Sequence, residues 1–130
     1  MIVLDEQIQG PSIARPIAAW YVGQVVPISA LRPRTVIKDD AIETLLRSAA
    51  QPTFVTINVS DFWRVASADS RFAIVCIELP AARVLDIPEW LRSLFRLPEF
   101  KSKSARMGKV IRLLPRRIEY YESTQRLHVI

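Results

Sequence analysis

The chain has 130 residues, half of them apolar and 24% charged, which fits one globular domain with a substantial core. It contains no run of the roughly 18 apolar residues that a membrane span needs, and its start lacks the pattern of a secretory signal. The single cysteine, Cys76, excludes an intrachain disulfide and is interpreted as a buried core thiol. We therefore expect a cytoplasmic protein with no membrane partner.

The net charge of +5 is unevenly distributed along the chain. Residues 1–70 carry six basic and seven acidic side chains, whereas residues 71–130 carry twelve basic and six acidic ones. Seven of the basic residues fall in one stretch without an acidic residue: Lys101, Lys103, Arg106, Lys109, Arg112, Arg116 and Arg117. This stretch predicts a surface for RNA or for a partner protein. A solvated basic hairpin would have the same composition, so that interpretation stays open.

Short apolar runs alternate with amphipathic segments over the first 97 residues. Strands are predicted at residues 2–4, 24–28, 53–59 and 71–79. Helices are predicted to begin at Pro11, at Asp39 or Asp40, at Ser60 and at Ile87. This alternation is typical of an α/β three-layer sandwich, with helices on both faces of a mainly parallel sheet of about four strands.

The pattern changes after Pro98, where a polar segment is followed by short β-like runs at residues 109–114, 117–121 and 127–130. These runs predict a small antiparallel β appendage. We expect a single domain of residues 1–130, with a core of residues 1–98 and a β extension of residues 99–130. An uncovered strand edge in such an extension would suit a partner protein or a second copy of the chain, giving a homodimer.

Carboxylates stand where the predicted strands end. Asp5 and Glu6 follow the first strand, Asp40 begins the helix after the second, and Asp61 follows the third. Ligands of open parallel sheets bind outside the carboxyl ends of the strands, where the strand order reverses. We therefore predict that Asp5, Asp40 and Asp61 meet in one pocket. Alternation along the strand turns Glu6 to the other side, in a supporting position.

The grouping of carboxylates predicts a cation. Neighbouring carboxylates repel one another unless a cation neutralises them, and oxygen-only ligands favour Mg²⁺ or Mn²⁺. Such an ion binds phosphate oxygens and lowers the pKa of bound water, as in metal-assisted phosphodiester hydrolysis. Structural roles stay open as well: Asp39 or Asp40 as a helix cap with Glu43 as a capping-box partner, and Asp61 as a partner of the helix dipole.

The order and spacing of four segments resemble the PIN-like domain family of unknown function, small bacterial proteins found near toxin–antitoxin loci. The resemblance covers roughly residues 2–97 and is carried by residues 4–8, 28–29, 38–42 and 55–62. Two positions depart from the family pattern. Gln7 stands where Asn is usual, and Val59 stands where the first Asp of an Asn-Asp-x-Asp-Phe motif is usual.

The resemblance implies a metal-dependent ribonuclease of a toxin–antitoxin type system, in which Asp5, Asp40 and Asp61 hold Mg²⁺ or Mn²⁺. Asn58 would then orient water or phosphate. Because Val59 removes one carboxylate, the site is expected to be partly degenerate. The alternative is a non-catalytic PIN-like module that binds an antitoxin, another protein or a second copy.

Overall fold

The computed structural model describes residues 1–32 and 39–130, and the side chains of Asp39 and Asp40 lie outside that description. Seven strands are described: β1 (Ile2–Leu4), β2 (Val25–Pro27), β3 (Thr53–Thr56), β4 (Ala73–Ile77), β5 (Val110–Leu113), β6 (Ile118–Tyr121) and β7 (His128–Val129). They form one mixed sheet with the order β2-β1-β3-β4-β5-β6-β7. The helices are α1 (Pro11–Trp20), α2 (Asp39–Ser48), α3 (Val59–Phe62), α4 (Ile87–Phe95) and α5 (Lys103–Arg106).

The α/β class and the order of strands and helices over residues 1–97 are confirmed, but the strand count is wrong. Strands β1 to β5 pair with one another in parallel, and the described β5–β6 and β6–β7 pairs are antiparallel. The predicted antiparallel appendage is therefore a continuation of the main sheet. Residues 78–109 contain α4 and α5, and this length allows the crossover that a parallel strand needs.

The polar sequence after Pro98 gave no indication of this crossover. Its polar stretch contains α5, whose first turn is capped by Ser102: the Ser102 hydroxyl accepts a hydrogen bond of 3.0 Å from the amide of Ala105. The sheet thus runs across the predicted boundary at residue 98.

No described helix is both long enough and apolar enough to cross a membrane.

Two apolar cores lie on opposite faces of the sheet, which makes the arrangement three-layered. Helices α1 and α4 cover one face with Ile13, Ile17 and Leu91. Helices α2 and α3 cover the other face with Leu46 and Phe62. The central strands are apolar on both sides because both faces are covered, which explains their continuous apolar runs.

The strand order reverses between β1 and β3. The chain passes from β1 to β2 on one side, and β3 then pairs with the opposite side of β1. The carboxyl ends of these two strands therefore form the crevice in which ligands of such sheets bind. We call the edge at which β1, β3 and β4 end the carboxyl end of the sheet, and the edge at which they begin the amino end.

Tyr121 closes the core on the α2–α3 face. It is fully buried, and its hydroxyl donates a hydrogen bond to the carbonyl of Ala66. Burial is the main cause that raises the pKa of Tyr121 to about 12. The neighbouring Tyr120 lies on the other face, where its ring stacks on His128 at 4.7 Å between centroids.

We expect Tyr121→Phe to lower the free energy of unfolding by about 1–3 kcal/mol, because it leaves a buried carbonyl unpaired. Tyr120→Phe is the matched control and should change it by less than about 0.5 kcal/mol. Chemical denaturation near pH 7 measures both. Equal effects of the two substitutions would contradict the role of the Tyr121 hydroxyl.

The raised pKa of Tyr121 also predicts how the stability of wild type differs from that of Y121F at alkaline pH. A raised tyrosine pKa contributes stability below the unfolded value of about 10, and this contribution is lost as pH rises toward about 12. The stability of wild type relative to Y121F should therefore fall between pH 10 and 12. A constant difference across that range would contradict the burial effect.

Candidate functional site at the carboxyl end of the sheet

Asp5 directly follows β1 and is held at the strand-order reversal. Its amide donates to the carbonyl of Val55 at 3.0 Å, so the backbone is still paired with β3. One carboxylate oxygen accepts from the amide of Glu6 at 2.8 Å, which caps a short 3₁₀ turn. The other accepts from the hydroxyl of Thr56 at 2.6 Å. The Asp5 residue is only 7% exposed, whereas Glu6 is exposed.

Thr56 connects the ends of β1 and β3, and the sequence interpretation did not single it out. Its side chain is fully buried. Besides donating to Asp5, its hydroxyl accepts from the amide of Asn58 at 3.0 Å. A buried hydroxyl needs a hydrogen-bond partner. A threonine at the end of a predicted buried strand was therefore the sequence signal for a polar contact at this position.

Asn58 and Asp61 extend the connection to the surface. The side-chain amide of Asn58 donates to a carboxylate oxygen of Asp61 at 2.7 Å. Asp61 is exposed in the first turn of α3. A continuous path therefore runs from Asp5 through Thr56 and Asn58 to Asp61, and the structure brings these two predicted carboxylates to one edge of the sheet.

The third predicted carboxylate, Asp40, lies in the first turn of α2, but its side chain is outside the described part of the structure. Because α2 leads into the amino end of β3, its first turn lies toward the carboxyl end. Glu43, one turn later, accepts a hydrogen bond of 3.2 Å from the amide of Ser67.

Asp5 and Asp61 offer carboxylate oxygens, the donor type that Mg²⁺ and Mn²⁺ take. Asp5 carries no ion pair with a described basic side chain, and its two hydrogen bonds leave acceptor lone pairs over. Among the described side chains, which exclude Asp39 and Asp40, no group of three or more acidic, histidine or cysteine residues is close enough to hold a metal. Asp5 and Asp61 are the described candidates, and Mg²⁺ accepts few protein ligands because it keeps several waters.

Val59, which stands where the resemblance leads one to expect a carboxylate, packs against the core beneath α3. An aspartate there would place a charge against apolar side chains. The position therefore contributes to packing and adds no ligand at the carboxyl end.

The basic stretch divides between the two ends of the sheet. Lys101 and Lys103 are exposed near the amino end. Arg106 is buried there, 3% exposed, and donates to the carbonyls of Phe100 and Lys101 at 2.9 and 3.0 Å. Lys109 donates to the carbonyl of Glu99 at 2.9 Å. These four basic residues therefore lie at the amino end of the sheet, whereas Asp5 lies at the carboxyl end.

The remaining three basic residues lie nearer the carboxyl end, and two of them are paired. Arg112 contacts Glu78 at 2.6 Å and Glu119 at 3.3 Å, and the hydrogen bond with Glu78 is the main cause that raises its pKa. Arg117 contacts Glu119 at 3.4 Å, and Arg116 is exposed. Strand β5 lies three strands from β1, about 14 Å at the usual spacing. An RNA bound at both places would have to span that distance.

Comparison with protein-family models, with curated proteins and with solved structures finds no match. The PIN-like resemblance therefore stays a prediction that rests on the order and spacing of its motifs.

Proposed function

We propose that the chain is a metal-dependent ribonuclease of the PIN-like class, with Asp5, Asp40 and Asp61 as the acidic residues of its site. The observation that carries this proposal is the path from Asp5 through Thr56 and Asn58 to Asp61 at the strand-order reversal. Two neutral donors hold the Asp5 carboxylate without neutralising its charge, and it lies at the edge where open parallel sheets bind ligands.

The residues of the chain would divide the work as follows. Asp5, Asp61 and Asp40 would hold Mg²⁺ or Mn²⁺, and the bound ion would bind phosphate oxygens and lower the pKa of a water molecule. Thr56 fixes the rotamer of Asp5, and Asn58 fixes that of Asp61, as residues that hydrogen-bond to metal ligands do. With Val59 packed against the core, the site has fewer carboxylates than the family pattern, and we expect weak metal affinity.

The first test is ribonuclease activity with and without Mn²⁺. Asp5→Asn should abolish activity, because it removes the negative charge that would hold the cation. The substitution keeps the shape of the side chain. Asparagine is also a good cap, so the 3₁₀ turn should survive. Thr56→Val should lower activity about 10- to 100-fold through loss of positioning.

Asp86→Asn is the matched control, since Asp86 forms an exposed ion pair with Arg83 and is no part of the Asp5–Thr56–Asn58–Asp61 path, and it should keep wild-type activity. Cleavage that persists in EDTA, or that is equal in D5N and wild type, would contradict the proposal.

The second test measures metal binding without catalysis. In calorimetric titration, Mn²⁺ should bind wild type and D86N with one affinity and D5N at least about tenfold more weakly. Mn²⁺ at 100 times its Kd should stabilise wild type by about 2.7 kcal/mol. Absence of Mn²⁺ binding to wild type, or unchanged binding to D5N, would contradict a cation site at Asp5.

A non-catalytic interaction module is the second candidate, and strand β7 favours it. Its outer edge is the end of the sheet, and three large apolar side chains are exposed beside it: Leu127 at 42%, Val129 at 59% and Ile130 at 47%. An edge of this kind can receive a strand from an antitoxin or from a second copy.

Under this candidate, wild type should sediment as a dimer, and Val129→Lys should sediment as a monomer because an edge lysine opposes strand addition. Analytical ultracentrifugation at several concentrations measures this. Monomeric wild type at every concentration would exclude the homodimer form of this candidate.

A further inference from the structure

A cavity of about 370 Å³ lies at the amino end of the sheet. Its walls come from the last turn of α1, from the end of α4 and from the segment that leads to α5. The size falls within the range of small-molecule sites, about 300–1,000 Å³. Strands β3 and β4 span four and five residues, so about 13–17 Å separate this end of the sheet from Asp5. The cavity is therefore distinct from the carboxylate site.

Three aromatic rings form one wall of the cavity. Trp20, Tyr21 and Phe95 lie with ring centroids 5.8–6.2 Å apart and with interplanar angles of 63–90°. No two of the three are stacked face to face. Trp20 and Tyr21 are half-buried, so the wall presents aromatic surface to the cavity.

The cavity is strongly basic. Its lining includes the exposed side chains of Arg92, Arg96 and Lys101 together with the buried Arg106, and it includes no acidic residue among those that the structure describes. Four formal positive charges therefore face one small volume. Each exposed arginine can also offer two parallel donors to a phosphate group.

Arg106 fixes the floor of the cavity. Its guanidinium carbon lies 4.0 Å from the ring centroid of Phe95, and its donors go to the carbonyls of Phe100 and Lys101 and, at 3.4 Å, to the hydroxyl of Thr53. None of the described carboxylates forms an ion pair with it. A buried cation without a counter-charge is costly, and an anion in the cavity would reduce that cost.

We propose that this cavity binds a nucleoside monophosphate. The planar base would lie against Trp20 and Tyr21, and the phosphate would be held by Arg92, Arg96 and Lys101. The combination of aromatic wall and convergent cations favours this ligand over inorganic phosphate, which needs no aromatic surface. The nucleotide is either free or the 5′ end of an RNA, since both carry the same groups. The proposal does not depend on metal binding at Asp5.

The test is calorimetric titration with AMP in EDTA. Wild type should bind AMP saturably, with adenosine and inorganic phosphate each at least about tenfold weaker. Arg96→Glu should weaken AMP binding by about tenfold or more. Arg126→Glu is the matched control, an exposed arginine in the turn before β7, and should stay within about twofold of wild type. Equal melting temperatures of the two variants establish that both are folded.

Three results would overturn the proposal: no saturable AMP binding at millimolar concentration, equal binding of adenosine and AMP, or equal weakening by R96E and R126E. Asp5→Asn should bind AMP like wild type, which separates this test from that of the ribonuclease. Oligoribonucleotides with a 5′ phosphate or a 5′ hydroxyl then identify the source. Tighter binding of the 5′-phosphorylated RNA than of AMP assigns the cavity to RNA ends, and the reverse order assigns it to free nucleotide.

Discussion

The hydrogen bond from the Thr56 hydroxyl to the Asp5 carboxylate, 2.6 Å long, is the contact on which the carboxyl end of the sheet depends. It joins the two strands between which the strand order reverses. Without it, a buried threonine would lack an acceptor and the Asp5 carboxylate would lose its only side-chain donor among the described residues. Because Asn58 donates to the same hydroxyl and also to Asp61, one geometry positions all four side chains.

The two ends of the sheet differ in chemistry. The carboxyl end gathers Asp5 and Asp61, and the amino end gathers arginines, a lysine and three aromatic rings. This division follows from the β4–β5 crossover, which returns the chain to the amino end before β5 and so carries Lys101 and Arg106 there. Farther along, Arg112 pairs with Glu78 and Glu119, and Arg117 pairs with Glu119, so the positive charges of the basic stretch are not continuous.

The sequence predicted the elements of residues 1–97 because their apolar runs and helix starts are local signals. It also predicted that Asp5 and Asp61 lie at one edge of the sheet, since neighbouring parallel strands end at the same edge. It missed the parallel pairing of β5, because Pro98 and the polar residues after it resemble a linker. It could not predict that Arg106 is buried, because that depends on Phe95 and the carbonyls around it. Thr56 was missed because a threonine fits any strand.

We propose that the path from Asp5 to Asp61 forms a cation site at the strand-order reversal. The most direct measurement is paramagnetic broadening of amide NMR signals by substoichiometric Mn²⁺. We expect selective loss of the signals of residues 5–8 and 58–62, with those of Gly108 and Lys109 at the amino end unaffected. Uniform weak broadening, or broadening that is centred away from Asp5 and Asp61, would contradict it.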